Sequence, residues 1–258
     1  MPIATRTFPT DISPPLTAVS LRDGLRDSLI RAGFPPALKT YTVGTDQFAV
    51  WELIFNPAKA FGRAYYRIRV TSGLVVTHSV GSSWTDSTNT LGNASTETQL
   101  TTYASTVAVK SWGFSNEELT LLSIAQGSVI QLLGFFRFAD APAFDEASFP
   151  RIFIATTNDV GVLVCTTLTP YSASSFNTSL LNANMAGADT FLQQRSMASG
   201  FFLFGPTNTG IIARSSDDLG MGACVGMTRG DIFQVPETDP IEQFVVLRPV
   251  AGALLIRI

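Results

Sequence analysis

AYYRIRVTSGLVVTHSV, residues 64–80, decides the fold class. Tyr65, Arg67 and Arg69 alternate with Tyr66, Ile68 and Val70, the period of two that a strand imposes. Thr71-Ser72-Gly73 is turn chemistry, and Leu74–Val80 returns as a second extended run. The unit predicts a β-hairpin. Just upstream, Phe48, Val50, Glu52 and Ile54 alternate with Ala49, Trp51, Leu53 and Phe55. Both sets are largely apolar, so this strand is expected to be buried on both faces.

The same pattern continues outward. Extended runs are predicted at Val107–Trp112, Glu118–Ala125 and Val129–Phe138. Further runs follow at Arg151–Thr156, Val160–Thr166, Gly200–Phe204, Gly210–Arg214, Asp231–Val235, Gln243–Leu247 and Ala253–Ile258. Residues 82–102 are rich in Ser, Thr and Asn and read as a long loop. Within the polar stretch 169–199, Ala186–Ser196 has a weak helical pattern. The whole predicts a mainly β protein with β-sandwich-like antiparallel sheets, an extended N-terminal arm and one short N-terminal helix. Residues 1–40 form the arm and helix, and 41–140 a β domain. Residues 141–258 are a second β domain or the second half of one large one.

The helix is expected over residues 20–32. Ser20 is a good N-cap with Asp23 three residues on, and Leu21, Leu25, Leu29 and Ala32 share one face. Gly33 ends it and Pro35-Pro36 forbids continuation. Arg22, Asp23, Arg26 and Asp27 make a charged face, read as solvated rather than as a docking surface. Before the helix, Pro2, Pro9, Pro14 and Pro15 exclude regular helix. This arm is expected to lie across a neighbouring subunit, with Phe8, Pro9, Pro14 and Pro15 as contact residues. The apolar terminus LLIRI must pair within a sheet or with a neighbour, which adds Leu255, Ile256 and Ile258 to the assembly residues.

Composition narrows the function. The chain of 258 residues holds one histidine, two cysteines and 14% charged residues, beside 45% hydrophobic residues, 23 Ser and 29 Thr. Acid–base, nucleophilic and metal chemistry draw on the residues that are scarce here. The net charge of −3 and the lack of a basic stripe argue against nucleic acid. No apolar run reaches the roughly 20 residues that a bilayer needs, so membrane insertion is not expected. No secretory signal pattern opens the chain, so Cys165 and Cys224 are read as buried thiols rather than a disulfide.

Individual constellations lead to the same place. His78 near Ser79, Ser82 and Asp86 suggests a triad, but these residues are too close along one strand to converge. Asp145-Glu146, Asp217-Asp218 and Glu237 with Asp239 fall in turns. Gly220, Gly222 and Gly226 miss the dinucleotide-binding spacing by one residue. Arg229-Gly230-Asp231 is a short chance match to an adhesion tripeptide. No catalytic residue, metal ligand or cofactor is assigned. Trp84 at the head of the polar segment is a candidate recognition residue, with Asp86, Asn89 and Asn93 beside it. Trp112 reads as covering the core edge.

SLRDGLRDSLIRAGF (20–34), YTVGTDQFAVWEL (41–53), AYYRIRV (64–70) and NASTETQL (93–100) together resemble structural proteins of tailed bacteriophages, cyanophages among them. The likeness covers residues 20–140 and is one of phrase rather than of a defined motif. It implies a non-enzymatic virion protein of the tail, baseplate or fibre apparatus, made in the host cytoplasm and located in the virion. Its partners would be copies of itself, as a homo-oligomer, and other virion proteins. Removing residues 1–19 is then expected to abolish incorporation and leave the β core folded. The alternatives are a host-surface or carbohydrate-binding module, which would bind host surface glycan, and a capsid decoration protein.

Overall fold

The computed structural model describes residues 5–6, 10–54, 63–94, 97–115, 119–127, 129–140, 152–157, 163–167, 188–189, 194–195, 197–199, 202–204, 211–215, 219–222, 231–235, 242–248 and 253–257. Its first part runs β1 (Thr5–Arg6), β2 (Thr10–Ile12), α1 (Ala18–Arg31), β3 (Lys39–Val43), β4 (Asp46–Ile54), β5 (Arg63–Val70) and β6 (Val75–Gly81). Then come β7 (Ser83–Thr85), β8 (Thr90–Gly92), β9 (Thr98–Thr102), β10 (Val109–Ser115), β11 (Leu119–Gln126) and β12 (Val129–Asp140). The chain continues through β13 (Ile152–Thr157), β14 (Leu163–Thr167), β15 (Ala188–Asp189), β16 (Gln194–Arg195), β17 (Met197–Ser199) and β18 (Phe202–Phe204). It ends with β19 (Ile211–Ser215), β20 (Leu219–Gly222), β21 (Ile232–Val235), β22 (Glu242–Arg248) and β23 (Ala253–Arg257).

The protein is mainly β, with antiparallel, sandwich-like sheets and, among the described residues, one helix. One five-stranded sheet has the order β3-β4-β5-β6-β9. A nine-stranded sheet carries β1-β10-β11-β12-β13-β14, with β2 also on β10 and β18-β19 joined through β12. A second five-stranded sheet has the order β17-β20-β23-β22-β21. The nine-stranded sheet crosses residue 141, because β12 pairs with both β13 and β19.

The predicted hairpin is present, with Arg69 opposite Thr77 and Val70 opposite Val76. Thr71 N–H donates to the Val75 carbonyl (2.9 Å) and Leu74 N–H to the Thr71 carbonyl (2.9 Å). Leu74 takes the left-handed conformation at φ 61°, the position that a three-residue hairpin loop requires. A leucine is uncommon there, and its side chain is held in the core at 6% exposure.

The core lies between the inner face of the β3–β9 sheet, α1, and strands β10 and β11. Trp51, Tyr66, Ile68, Val76, Leu122 and Ile124 meet Leu21, Leu25 and Leu29 of the helix in one cluster. Each such leucine contributes about 1.5–3 kcal/mol by leaving water. The predicted stripe is therefore buried, and Gly33 ends the helix at φ +97°. The helix start differs from expectation. It begins at Ala18, and Thr17 is the N-cap of a capping box in which Ser20 is the reciprocal N3 residue. Both residues have capping hydroxyls, and the outer one caps because Ala18 and Val19 accept helical geometry. The charged face is a ladder of ion pairs: Asp23 with Arg22 (2.8 Å) and Arg26 (2.9 Å), and Arg26 with Asp27 (2.8 Å). Arg22 also reaches Gln47 Oε1 of β4 at 2.9 Å, so this face is partly tied to the sheet.

Two expectations are corrected here. The polar segment 82–102 is not one long loop: it holds strands β7, β8 and β9, because its threonines suit a pleated surface as well as a loop. Within Ala186–Ser196, read as weakly helical, Ala188–Asp189 and Gln194–Arg195 form the strand pair β15–β16, and the remaining positions lie outside the described residues. Gly187 and Thr190 disfavour helix there, and so short a helix is marginal on its own. The described residues of the arm pair within the chain: Thr5 and Arg6 lie opposite Ser115 and Phe114, and Thr10–Ile12 opposite Ser111–Val109. Ile12 and Leu16 are buried in the core.

Candidate functional site

The outer face of the β3–β9 sheet carries the densest chemistry among the described side chains. Its framework begins at the β3–β4 hairpin. Gly44, at φ +60°, is the first of two loop residues, and Val43 lies opposite Asp46. Positive φ at the first central position alone makes this a type II′ turn. The turn fixes the register that sets Tyr41 opposite Phe48, Phe48 opposite Arg69, and Arg69 opposite Thr77. One row inward, Lys39, Val50, Arg67 and Ser79 follow one another across four strands. The alternation places all of them on the face away from Trp51 and Tyr66.

Tyr41 stacks on Phe48 with ring centroids 4.7 Å apart and planes 3° apart. The Arg67 and Arg69 guanidinium carbons lie 5.6 and 5.9 Å from the Phe48 ring centre, a cation–π arrangement. Glu97 accepts from Arg67 (2.7 Å), Arg69 (3.0 Å) and Thr77 (3.3 Å), and Asp46 pairs with Arg69 (2.7 Å).

Strands β7 and β8 form a separate two-stranded hairpin, and its contacts with Lys39 and Tyr41 lay it against this face as a flap. Its base is close-packed: a Cβ on Gly81 would meet the Gly92 carbonyl oxygen at 2.9 Å and Leu91 Cβ at 3.1 Å. Only glycine permits that approach. Its tip is held by contacts to β3. Trp84 lies 5.7 Å from the Tyr41 ring at a 43° tilt, and the Tyr41 hydroxyl donates to the Asn89 carbonyl at 3.5 Å. Lys39 Nζ pairs with Asp86 at 3.0 Å, and the Trp84 indole N–H points at the same carboxylate at 3.4 Å. The Lys39 and Trp84 hydrogen bonds lower the Asp86 pKa below its ordinary value. Burial raises the Tyr41 phenol, and the Arg67 guanidinium beside it pulls the other way. Asn89 occupies the left-handed region at φ 53°.

The structure thus gathers Trp84, Asp86 and Asn89 on the flap. Asn93 follows β8 at φ 46°, and its amide donates to Ser82 Oγ at 2.9 Å, closing the flap base instead of facing outward. Sequence reasoning missed Tyr41, Phe48, Arg67 and Glu97. The first two were within reach, since the VGTD turn alone fixes the Tyr41–Phe48 register. Glu97 carries no local signal, because its partners lie on β5 and β6.

The other candidates fall elsewhere. His78 faces the core at 1% exposure, with Nδ1 3.3 Å from the Tyr66 hydroxyl. Ser79 is the next residue along the strand and points to the opposite face, so the two cannot form a nucleophile–base pair. Phe114 is fully buried on β10, and Trp112 is half-buried on the same strand. Pro14 and Pro15 are exposed, while Phe8, Pro9 and Ile258 lie outside the described residues. Leu255 and Ile256 sit on β23, which is flanked by β20 and β22. Their backbone ladder is complete on both sides, so no strand edge is left there for a neighbour. Cys165 is on β14, and Cys224, Arg229, Gly230 and the acidic pairs at 145, 217 and 237 lie outside the described residues. Among the described residues no His, Cys, Asp or Glu group is arranged to hold a metal, and no helix is long and apolar enough to cross a membrane. Neither a protein-family model nor a curated protein matches this chain.

Proposed function

We propose that the chain is a non-enzymatic structural protein of a tailed-phage virion, assembling in the tail, baseplate or fibre apparatus. The phrases at 20–34, 41–53, 64–70 and 93–100 suggest it, and one structural observation carries it. Strand β3 is an open sheet edge, with no strand on its far side among the described residues. The type II′ turn sets the ladder so that Thr40 and Thr42 direct their N–H and C=O groups outward. Leu38 and Val43 bracket this edge at 48% and 55% exposure. A free ladder with apolar ends is a site for strand addition by another subunit. The only charge on the strand is Lys39, and that is drawn into the Asp86 pair.

Cross-linking of purified particles with an amine-reactive reagent tests this reading. Lys39 is expected to link to another copy or to a different virion protein. Links from Lys39 confined to its own chain would contradict assembly through this edge.

A further inference from the structure

Three buried polar atoms lie between the sheet and the flap with no hydrogen-bond partner in the protein: Arg67 Nε, Ser79 Oγ and Asn89 Oδ1. They are neighbours. Arg67 stands opposite Ser79 in register, its guanidinium lies over the Phe48 ring on which Tyr41 stacks, and the Tyr41 hydroxyl donates to the Asn89 backbone. Ser79 is only 1% exposed. Orphaned buried polar groups are rare and costly, and three in one seam call for hydroxyl groups, of water or of a ligand that displaces it, to satisfy them.

Their chemistry selects the ligand. Arg67 Nε is a donor, Asn89 Oδ1 an acceptor, and Ser79 Oγ either. An anion would satisfy Arg67 but leave Asn89 without a donor. A cation would do the reverse. A hydroxyl both gives and accepts, and adjacent ring hydroxyls offer both at sugar spacing. The charges agree: Lys39, Arg67 and Arg69 are matched by Asp46, Asp86 and Glu97, so the seam favours a neutral ligand. At its mouth the half-buried Trp84 ring leans on Tyr41, an apolar plate on which a sugar ring stacks.

We propose that the seam between the β7–β8 flap and the outer sheet face binds a neutral saccharide, with Trp84 as stacking platform and Arg67, Ser79 and Asn89 as hydroxyl-binding groups. The flap tip swings to admit it. The tip is held by Lys39, which bonds the exposed Asp86 carboxylate and its carbonyl, by the Trp84–Tyr41 ring contact and by the long Tyr41–Asn89 hydrogen bond, few and exposed restraints, while Gly81, Leu91 and Gly92 keep the base in place. The inference is independent of virion assembly and stands or falls separately from it.

The test uses saturation-transfer NMR and calorimetry on the full chain. The probes are maltohexaose, cellohexaose, chitohexaose and mannohexaose, with hexagalacturonate as the acidic comparison. At least one neutral hexamer should bind at millimolar concentration, more tightly than the acidic one. Asn89→Gly keeps the left-handed backbone and removes the acceptor, and Trp84→Ala removes the platform. Each should weaken binding about tenfold or more, the loss expected for one hydrogen bond or one ring contact. Thermal unfolding of Asn89→Gly should stay near that of the parent, which separates lost recognition from lost folding. No binding by any neutral hexamer, tighter binding of the acidic one, or undiminished binding in both variants would each overturn the proposal.

Discussion

His78 shows what burial does to a titratable side chain. Desolvation lowers its pKa from 6.5 to about 3. Above pH 6.5 the imidazole is neutral in both folded and unfolded chains and adds no pH dependence. Between 6.5 and about 3 the unfolded chain takes up a proton that the folded chain refuses, so stability falls with pH by up to about 1.4 kcal/mol per unit. Urea unfolding at pH 7 and pH 4.5 should show the parent losing about 2–3 kcal/mol relative to His78→Leu. Equal losses in both proteins would mean that His78 is not buried neutral. Leu74 sets a second residue-scale balance. Its left-handed backbone costs about 1–2 kcal/mol, whereas removing a buried leucine side chain costs about 2–5 kcal/mol. Leu74→Gly should therefore destabilise by about 1–3 kcal/mol in urea unfolding, despite relieving the backbone. A stabilised variant would show that packing at this turn is weaker than its 6% exposure indicates.

At the scale of elements, the sequence was legible where periodicity and punctuation agree. Leu21, Leu25, Leu29 and Gly33 announce α1, and the alternation at 64–70 announces β5, because each pattern has a single geometric solution. Residues 82–102 read as loop from sequence because Ser, Thr and Asn serve loops and exposed strands alike, and Trp84 and Leu91 are the only apolar markers in the flap. The seam was illegible for another reason: Arg67, Ser79 and Asn89 meet only through the fold-back of β7–β8. Two predictions belong here. Gly81→Val would drive its side chain into the Gly92 carbonyl and Leu91, and should cost about 1–3 kcal/mol in urea unfolding and detach Trp84 from Tyr41. An unchanged Trp84 ring environment by NMR would refute that account of the flap base. Thr42→Pro replaces a residue whose N–H faces the open edge, so it should keep the fold and block strand addition at β3. Loss of folding in Thr42→Pro, judged by circular dichroism, would mean that the outward direction assigned to this N–H is wrong.

Across the whole molecule, the sequence conveyed the mainly β class and the antiparallel sheets, but not which ends remain available for partners. Both termini looked like assembly devices because Pro-rich arms and apolar ends carry the same signals whether they pair inside the chain or outside it. Here β1 and β2 join β10, and β23 lies between β20 and β22, so the assembly reading rests not on the termini but on an open sheet edge, β3. Deleting residues 1–19 would remove buried Ile12 and Leu16 and the Thr17 cap, so it should unfold or destabilise the core as well as impair incorporation. The central claim is membership of a virion, and quantitative mass spectrometry of purified particles from the cells that carry this sequence tests it most directly. A few to a few dozen copies per particle are predicted, with hundreds marking capsid decoration instead; absence from particles that are otherwise complete would contradict the structural reading.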